Sequence, residues 1–297
     1  MGFLLLVLVG FAPGIFWLWL IYQRDKYIPA PVHLVVRTFL WGILVAAPVV
    51  IVERVLLGLS EYDLQDVASG SDLLGAAFLA FIVAGMTEEI AKYLAVKKTV
   101  YGSPYFRQPL DGLIFAAAVA LGFASIENVG YMFAYGAGVI LVRAPISTVA
   151  HVVFSAAWGY GLGMQAQNPA SKHLPVALLV VGIGFHGLFD FFLFAGSGLE
   201  GWPALVFLTG ILLFLFLVKV AQRQSPFRDK IAAAVITCGN CDTQSGYGSR
   251  YCIKCGQALA KLSTSACSQC GTVAQEFHAF CTGCGSRLDR KRVTTTR

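Results

Sequence analysis

Long apolar runs broken by short polar stretches fill the first 222 residues of this chain. Seven runs stand out, at about 2–22, 36–59, 74–97, 112–134, 144–165, 174–195 and 201–221. Each is close to the roughly 20 residues a helix needs to cross a hydrocarbon core. The pattern predicts an all-α polytopic membrane protein. Near Ala221 the apolar pattern stops, and the following residues are polar and cysteine-bearing.

Composition agrees with the pattern. Hydrophobic residues make up 57% and charged residues 13% of the 297, with a mean hydropathy of +0.70. Soluble domains carry about a quarter charged residues, so a soluble enzyme and a surface-anchored one are both excluded. No Lys or Arg precedes the first run, which lacks the basic leader of a cleaved signal peptide and is expected to stay in the mature protein. Charge predicts the orientation. Residues 23–37 carry Arg24, Lys26 and Arg37, and 97–111 carry Lys97, Lys98 and Arg107, whereas 60–72 holds Glu61, Asp63, Asp66 and Asp72 without a basic residue. The positive-inside rule then sets the N-terminus outside the cell membrane and the C-terminus in the cytoplasm. Arg143, at the start of the fifth run, is a mild exception. From Arg223 onward there are 11 Lys/Arg and 4 Asp/Glu, and the remainder of the chain has 11 and 12. The basic excess thus belongs to the tail, beside an anionic leaflet that would attract it.

All eight cysteines lie in that tail: Cys238, Cys241, Cys252 and Cys255, then Cys267, Cys270, Cys281 and Cys284. Each half reads C-x2-C-x10-C-x2-C, and the pattern repeats after 29 residues. Two such knuckles supply the four thiolates of a closed tetrahedral zinc site, which holds structure and leaves no open position for catalysis. A reducing cytoplasmic location argues against a disulfide framework. The expectation is two structural zinc ions, one per half. Their thiolates remove most of the tail's positive charge, which argues against a nucleic-acid partner. Gly239, Gly256, Gly271 and Gly285 beside the ligands are expected at turns that need positive φ. The halves resemble the double zinc ribbons of many bacterial and archaeal proteins.

Inside the apolar runs lie ionisable groups, which are rare in hydrocarbon unless they face a polar interior. Glu88 and Glu89 stand side by side in the third run, Glu127 and Asn128 in the fourth, His151 and Ser155 in the fifth, and His186 and Asp190 in the sixth. The last two pairs are spaced by four, on one helix face each. At about 1.5 Å per residue, His151 and Glu127 lie roughly 10 Å below the outer ends of their helices, His186 about 13 Å, and the glutamates about 15–21 Å. These depths allow one cluster in the outer half of the bilayer. Lys92 offers an ion pair within its own helix that would neutralise one glutamate and leave the other unexplained. Gly112, Gly122, Gly130, Gly159, Gly161, Gly163, Gly182, Gly184 and Gly187 read as small packing residues between helices. Carboxylates and imidazoles without an evident nucleophilic Ser or Cys point to activation of water. The histidines and acids either hold a divalent metal such as zinc or donate to an oxyanion, and Asp190 either orients His186 or is itself a ligand. No His-Glu-x-x-His helix is present.

Glu88-Glu89-x-x-Lys92, Phe123-x-x-x-Glu127-Asn128, the isolated His151 and His186-x-x-x-Asp190 stand in an order that resembles the PrsW family of intramembrane metalloproteases. That family is related to the CAAX prenyl endopeptidases and bacteriocin-processing proteins. The resemblance covers roughly 1–222. It implies a peptidase in which Glu88 and Glu89 match the paired catalytic glutamates, with one activating water. Glu127, His151, His186 and Asp190 fill the remaining catalytic positions. It further implies regulatory cleavage of a membrane-tethered protein such as an anti-sigma factor, cut outside its span.

The organisation expected is a transmembrane peptidase domain at 1–222, a basic linker at 223–235, a double zinc ribbon at 236–290 and a basic tail at 291–297. A membrane-anchored protein is the expected substrate, the lipid bilayer the surroundings, and a cytoplasmic protein the partner of the ribbons. Two other classes compete: an ion- or metal-coupled transporter, since buried acids also line ion pathways, and a non-catalytic scaffold acting through the ribbons.

Overall fold

A computed structural model describes residues 2–25, 29–196, 199, 201–227, 235–246, 254–255, 257, 264–269 and 273–275. The chain divides into two compact units, Met1–Ser225 and Pro226–Arg297. In the first, seven helices are long and apolar enough to cross a membrane: α1 (Phe3–Tyr22), α2 (Val32–Leu59), α3 (Leu73–Thr99), α4 (Pro109–Tyr135), α5 (Ala137–Gln167), α6 (Leu174–Phe194) and α7 (Trp202–Gln224). They coincide with the seven runs seen in the sequence, with two notable extensions: α5 begins at Ala137 where its run begins at 144, and α2 at Val32 where its run begins at 36. Helix α2 begins before Arg37, which the charge pattern assigns to a loop. The polar reach of a long arginine lets it sit a turn inside the helix, where Nη2 donates to the Thr99 carbonyl at 2.7 Å and caps the end of α3.

Local chemistry fixes the helix ends. Between α2 and α3 the acidic residues act as caps: Asp63 accepts from the Gln65 N–H at the start of a short helix (Leu64–Ala68), and Asp72 accepts from the Gly75 N–H, both at 2.8 Å. Helices α4, α6 and α7 begin with proline in the first turn, where no intrahelical N–H is needed.

Helix α4 is the axis of the unit, buried through most of its length, with α1, α2 and α5 packed around it. Close approach demands glycine there. A Cβ on Gly112 would strike the Gly159 carbonyl of α5, and one on Gly122 would strike the Phe39 carbonyl of α2. Gly159, Gly161, Gly163, Gly182 and Gly187 are crowded in the same way. Gly130 and Gly184 are not: each faces open space, so the packing role read for them does not hold.

Two spans depart from α-geometry. Helix α3 runs as a π-helix through Phe78–Met86, and α5 does so through Arg143–Ser147. Wide turns of this kind often occur at functional sites. In both helices α-geometry resumes one or a few residues before a candidate site residue, Glu88 in α3 and His151 in α5.

A second buried polar cluster ties loops to helix ends. Asp111 accepts from the Arg107 backbone N–H at 2.8 Å and from Gln108 Nε2 at 3.3 Å, and Ser225 Oγ donates to Gln108 Oε1 at 2.6 Å. Asp25, only 4% exposed, accepts from the Ala30 N–H at 2.9 Å. Its pKa is pushed up to about 7, first by burial and then by the charge of Asp111; the Ala30 N–H and Arg107 oppose the rise.

In the second unit two antiparallel hairpins are described. Strand β1 (Val235–Thr237) pairs with β2 (Gln244–Gly246), and β3 (Thr264–Ala266) pairs with β4 (Val273–Gln275). The second hairpin repeats the first at the 29-residue offset of the cysteine pattern. In the first turn the Cys238 N–H donates to the Thr243 carbonyl and the Asp242 N–H to the Cys238 carbonyl. The positive φ in this turn, 53°, belongs to Asp242 and not to Gly239. Aspartate tolerates this conformation because its short side chain can satisfy nearby backbone groups. Gly256, Gly271 and Gly285 lie outside the described residues.

Candidate active site

Helices α3 to α6 bring all six sequence-nominated residues of the membrane unit together. Glu88 and Glu89 come from α3, Glu127 from α4, His151 from α5, and His186 and Asp190 from α6. The contacts chain them: His151 Nε2 lies 2.8 Å from Glu127 Oε2, His186 Nδ1 lies 3.2 Å from Glu89 Oε1, and His186 Nε2 lies 3.4 Å from Asp190 Oδ2. Glu88 Oε2 is 3.7 Å from His151 Nδ1 and 3.9 Å from His186 Nε2.

The paired glutamates differ sharply. Glu89 is fully buried, and both of its oxygens are engaged. Oε1 faces Lys92 Nζ at 2.9 Å and His186 Nδ1 at 3.2 Å, while Oε2 accepts from Ser155 Oγ at 2.8 Å and Trp158 Nε1 at 2.9 Å. An ionised carboxylate has about four acceptor directions, so Glu89 has none left for water. Glu88 shares Oε2 with Lys92 Nζ at 2.8 Å and lines a cavity, which Glu89 does not.

Lys92 does more than the ion pair expected of it. Its ammonium bridges both glutamates and also lies 3.1 Å from His151 Nδ1 and 4.4 Å from the centre of the Phe123 ring. This answers how two adjacent carboxylates are carried inside a span: one buried cation serves both, supported by hydrogen bonds and a π-face. Because an ammonium can only donate, His151 Nδ1 must accept, and the ring proton sits on Nε2, directed at Glu127. His186 is clamped differently, stacked on Phe154 with ring centres 4.6 Å apart and planes at 22°.

The cavity has a volume of about 600 Å³ and opens among α2 to α6. Besides Glu88, Glu127, His151, His186 and Asp190, its walls include Glu53, Arg54, Tyr131 and Arg143. Sequence reading passed over Glu53 and Arg54, which sit in IVERVLL near the end of a span and resemble interfacial residues. Arg143 registered only as a charge exception. In the structure its Nε donates to Asn128 Oδ1 at 2.8 Å, Nη2 lies 3.3 Å from Glu127 Oε2, and the guanidinium covers the Tyr131 ring at 3.9 Å. A lone arginine in an otherwise apolar run was the available signal. Trp158 gave none, since nothing in sequence separates an indole that donates to a carboxylate from one that only packs.

Glu88, His151 and His186 each offer a ligand atom within 4.8 Å of the others. The donor types and spacing are those of a two-histidine, one-carboxylate metal site. Both nitrogens of His151, however, are already engaged, by Lys92 and by Glu127. As arranged, the set does not fit a metal.

In the tail, Cys238, Cys241 and Cys255 bring their sulfurs within 4.8 Å of one another, with Cys238 and Cys255 at 3.6 Å. Zinc–sulfur bonds of about 2.3 Å in a tetrahedron set sulfurs roughly 3.8 Å apart, so this trio fits zinc. Hydrogen bonds from the Gln257 N–H and the Asn240 amide favour the thiolate of Cys255 and lower its pKa. Cys267 is buried at the corresponding turn of the second hairpin. Cys252, Cys270, Cys281 and Cys284 lie outside the described residues.

Comparison with known proteins reaches both parts of the chain. Residues 238–285 match the double zinc ribbon family. The chain is 32% identical to "Protease PrsW" of Bacillus subtilis over 211 residues, 68% of this chain and 90% of that protein. It is 31% identical to "Protease PrsW" of Geobacillus kaustophilus over 192 residues, 64% of this chain and 80% of that one. A "Protease PrsW" of Clostridioides difficile is 31% identical over 197 residues, 64% and 78%. No solved structure matches. Residues 30–221 match the model of the PrsW family intramembrane metalloprotease, and the chain belongs to that family of multi-pass membrane proteases.

Proposed function

We propose that the membrane unit hydrolyses a peptide bond of a membrane-tethered protein, with Glu88 as the base that activates water. One observation carries the reading: of the two adjacent glutamates, Glu88 lines the cavity while all acceptor directions of Glu89 are taken. Glu88 removes a proton from water, and the resulting hydroxide attacks the scissile carbonyl carbon. The tetrahedral oxyanion takes over the hydrogen bond of His186 Nε2 from Asp190, 3.4 Å away, while Glu89 keeps hold of Nδ1. The C–N bond then breaks, and the proton on Glu88 passes to the leaving amine. His151 and Glu127 position Lys92 and the cavity wall.

The basic loops support an N-terminus outside and a cytoplasmic C-terminus, with the ribbons holding two structural zinc ions and engaging a cytoplasmic protein partner. Regulatory proteolysis of an anti-sigma-factor-like protein is the physiological setting this implies. The test compares new N-termini in membranes and medium from cells expressing the native chain or a Glu88→Gln variant at equal levels. Peptides beside the spans of other membrane proteins, found only with the native chain, are the expected result. Identical peptide sets from two folded proteins would overturn the assignment.

A further inference from the structure

The position a catalytic metal needs in this site is filled by a side chain. Lys92 Nζ lies 2.8 Å from Glu88 Oε2, 2.9 Å from Glu89 Oε1 and 3.1 Å from His151 Nδ1, with no solvent exposure. Any ion held by His151 through Nδ1 has to use the nitrogen lone pair that the ammonium occupies. His151 cannot turn its other nitrogen inward without giving up Glu127 at 2.8 Å. His186 faces the same difficulty, since its nitrogens already address Glu89 and Asp190. The donor set of a metal site is therefore complete in type, yet its centre is a fixed monocation supplied by the chain itself.

We propose that Lys92 is the resident cation of the membrane site, standing where a metal would bind, so that the unit works without a metal there and the chain's zinc resides in the cysteine ribbons. The proposal rests on the peptidase reading of the same site and assigns Lys92 as a positioning residue. It sets the two glutamates in different roles by binding Oε2 of one and Oε1 of the other. It also holds His151 in the tautomer that donates to Glu127.

Metal stoichiometry tests this without reference to activity. The full chain is purified in detergent, equilibrated with micromolar Zn2+, desalted and assayed by elemental analysis against protein concentration. The native chain and a His151→Gln, His186→Gln variant should carry the same number of zinc ions. A native excess of one ion overturns the proposal while leaving the peptidase reading intact. In the opposite direction, Lys92→Ala frees Glu88 Oε2 and His151 Nδ1, and should gain one further ion. Circular dichroism and monodispersity establish that each variant is folded. A folded Lys92→Ala chain that gains no ion also overturns the proposal. Should Lys92→Ala fail to fold, the comparison of native chain with histidine variant decides alone. A failed peptidase test, by contrast, would show in the N-terminal peptides and leave the zinc counts unchanged.

Discussion

Two buried polar clusters in one helical unit have opposite characters. Around Asp25, Gln108 and Asp111, the carboxylates accept from backbone N–H groups and a neighbouring amide, and they stitch loops to helix starts. Around Glu88 and Glu89, the carboxylates face side chains from two other helices, and one of them lines a cavity. Burial of charge is common to both, so burial alone does not mark function. What separates them is the partner: mainly backbone groups at helix starts, with one ion pair to the nearby Arg107, in one case, and titratable side chains from other helices converging on space in the other.

Substitutions can break this contrast. The largest effect is expected from Glu88→Gln, which keeps the shape and removes the base: cleavage of a reporter substrate should fall by roughly 10²–10⁴-fold. Asp111→Asn should leave the cleavage rate near native, and a comparable loss there would erase the distinction. Lys92→Met comes next. Removing one partner of a buried ion cluster costs about 3–5 kcal/mol, so its melting temperature in detergent should drop well below that of a surface lysine variant such as Lys172→Met.

The Asp25 cluster has its own signature, in pH. Because the folded pKa of Asp25 is raised from 3.8 to about 7, the folded state holds its proton longer than the unfolded chain does. Its favourable contribution is present in full below about pH 4, shrinks as pH rises, and is gone above about pH 7. Asp25→Asn should flatten stability across that window, by on the order of 3 kcal/mol relative to the native chain. Thermal unfolding at pH 5 and pH 8 measures it, and parallel curves would remove Asp25 from the account. Smallest is Ser155→Ala, which deletes one of four donors to Glu89. A loss of about 1.5 kcal/mol is expected, with cleavage reduced less than in Glu88→Gln.

The helices were legible because hydropathy reports spans directly, and α1 to α7 fall on the seven apolar runs. The six membrane-site residues were legible because each is an ionisable group in apolar sequence. Their division of labour was not. Glu88 and Glu89 are neighbours in sequence, and only the rotation of α3 against α5 and α6 turns one toward the cavity and the other toward Ser155 and Trp158. Lys92 could be paired with its own helix from spacing, but its contact with His151 spans 59 positions and requires the fold. Glu53 does not stand out in sequence, because a charge near a span's end is common at the membrane interface. The ribbon spacing was fully legible, since ligand intervals are written in the sequence itself.

The π-helical stretch of α3 makes the site sensitive to a kind of change that hydropathy would never register. Phe78–Met86 ends one residue before Thr87, so everything from Glu88 onward takes its heading from those wide turns. Each residue of an α-helix turns the side-chain direction by about 100°. Deleting a single apolar residue between 78 and 86 would leave a span of ample length and unchanged polarity. It would also swing Glu88, Glu89 and Lys92 to another side of the helix together. Among relatives with indistinguishable membrane topology, the residue count of this segment is therefore a means of telling a working protease from a silent copy.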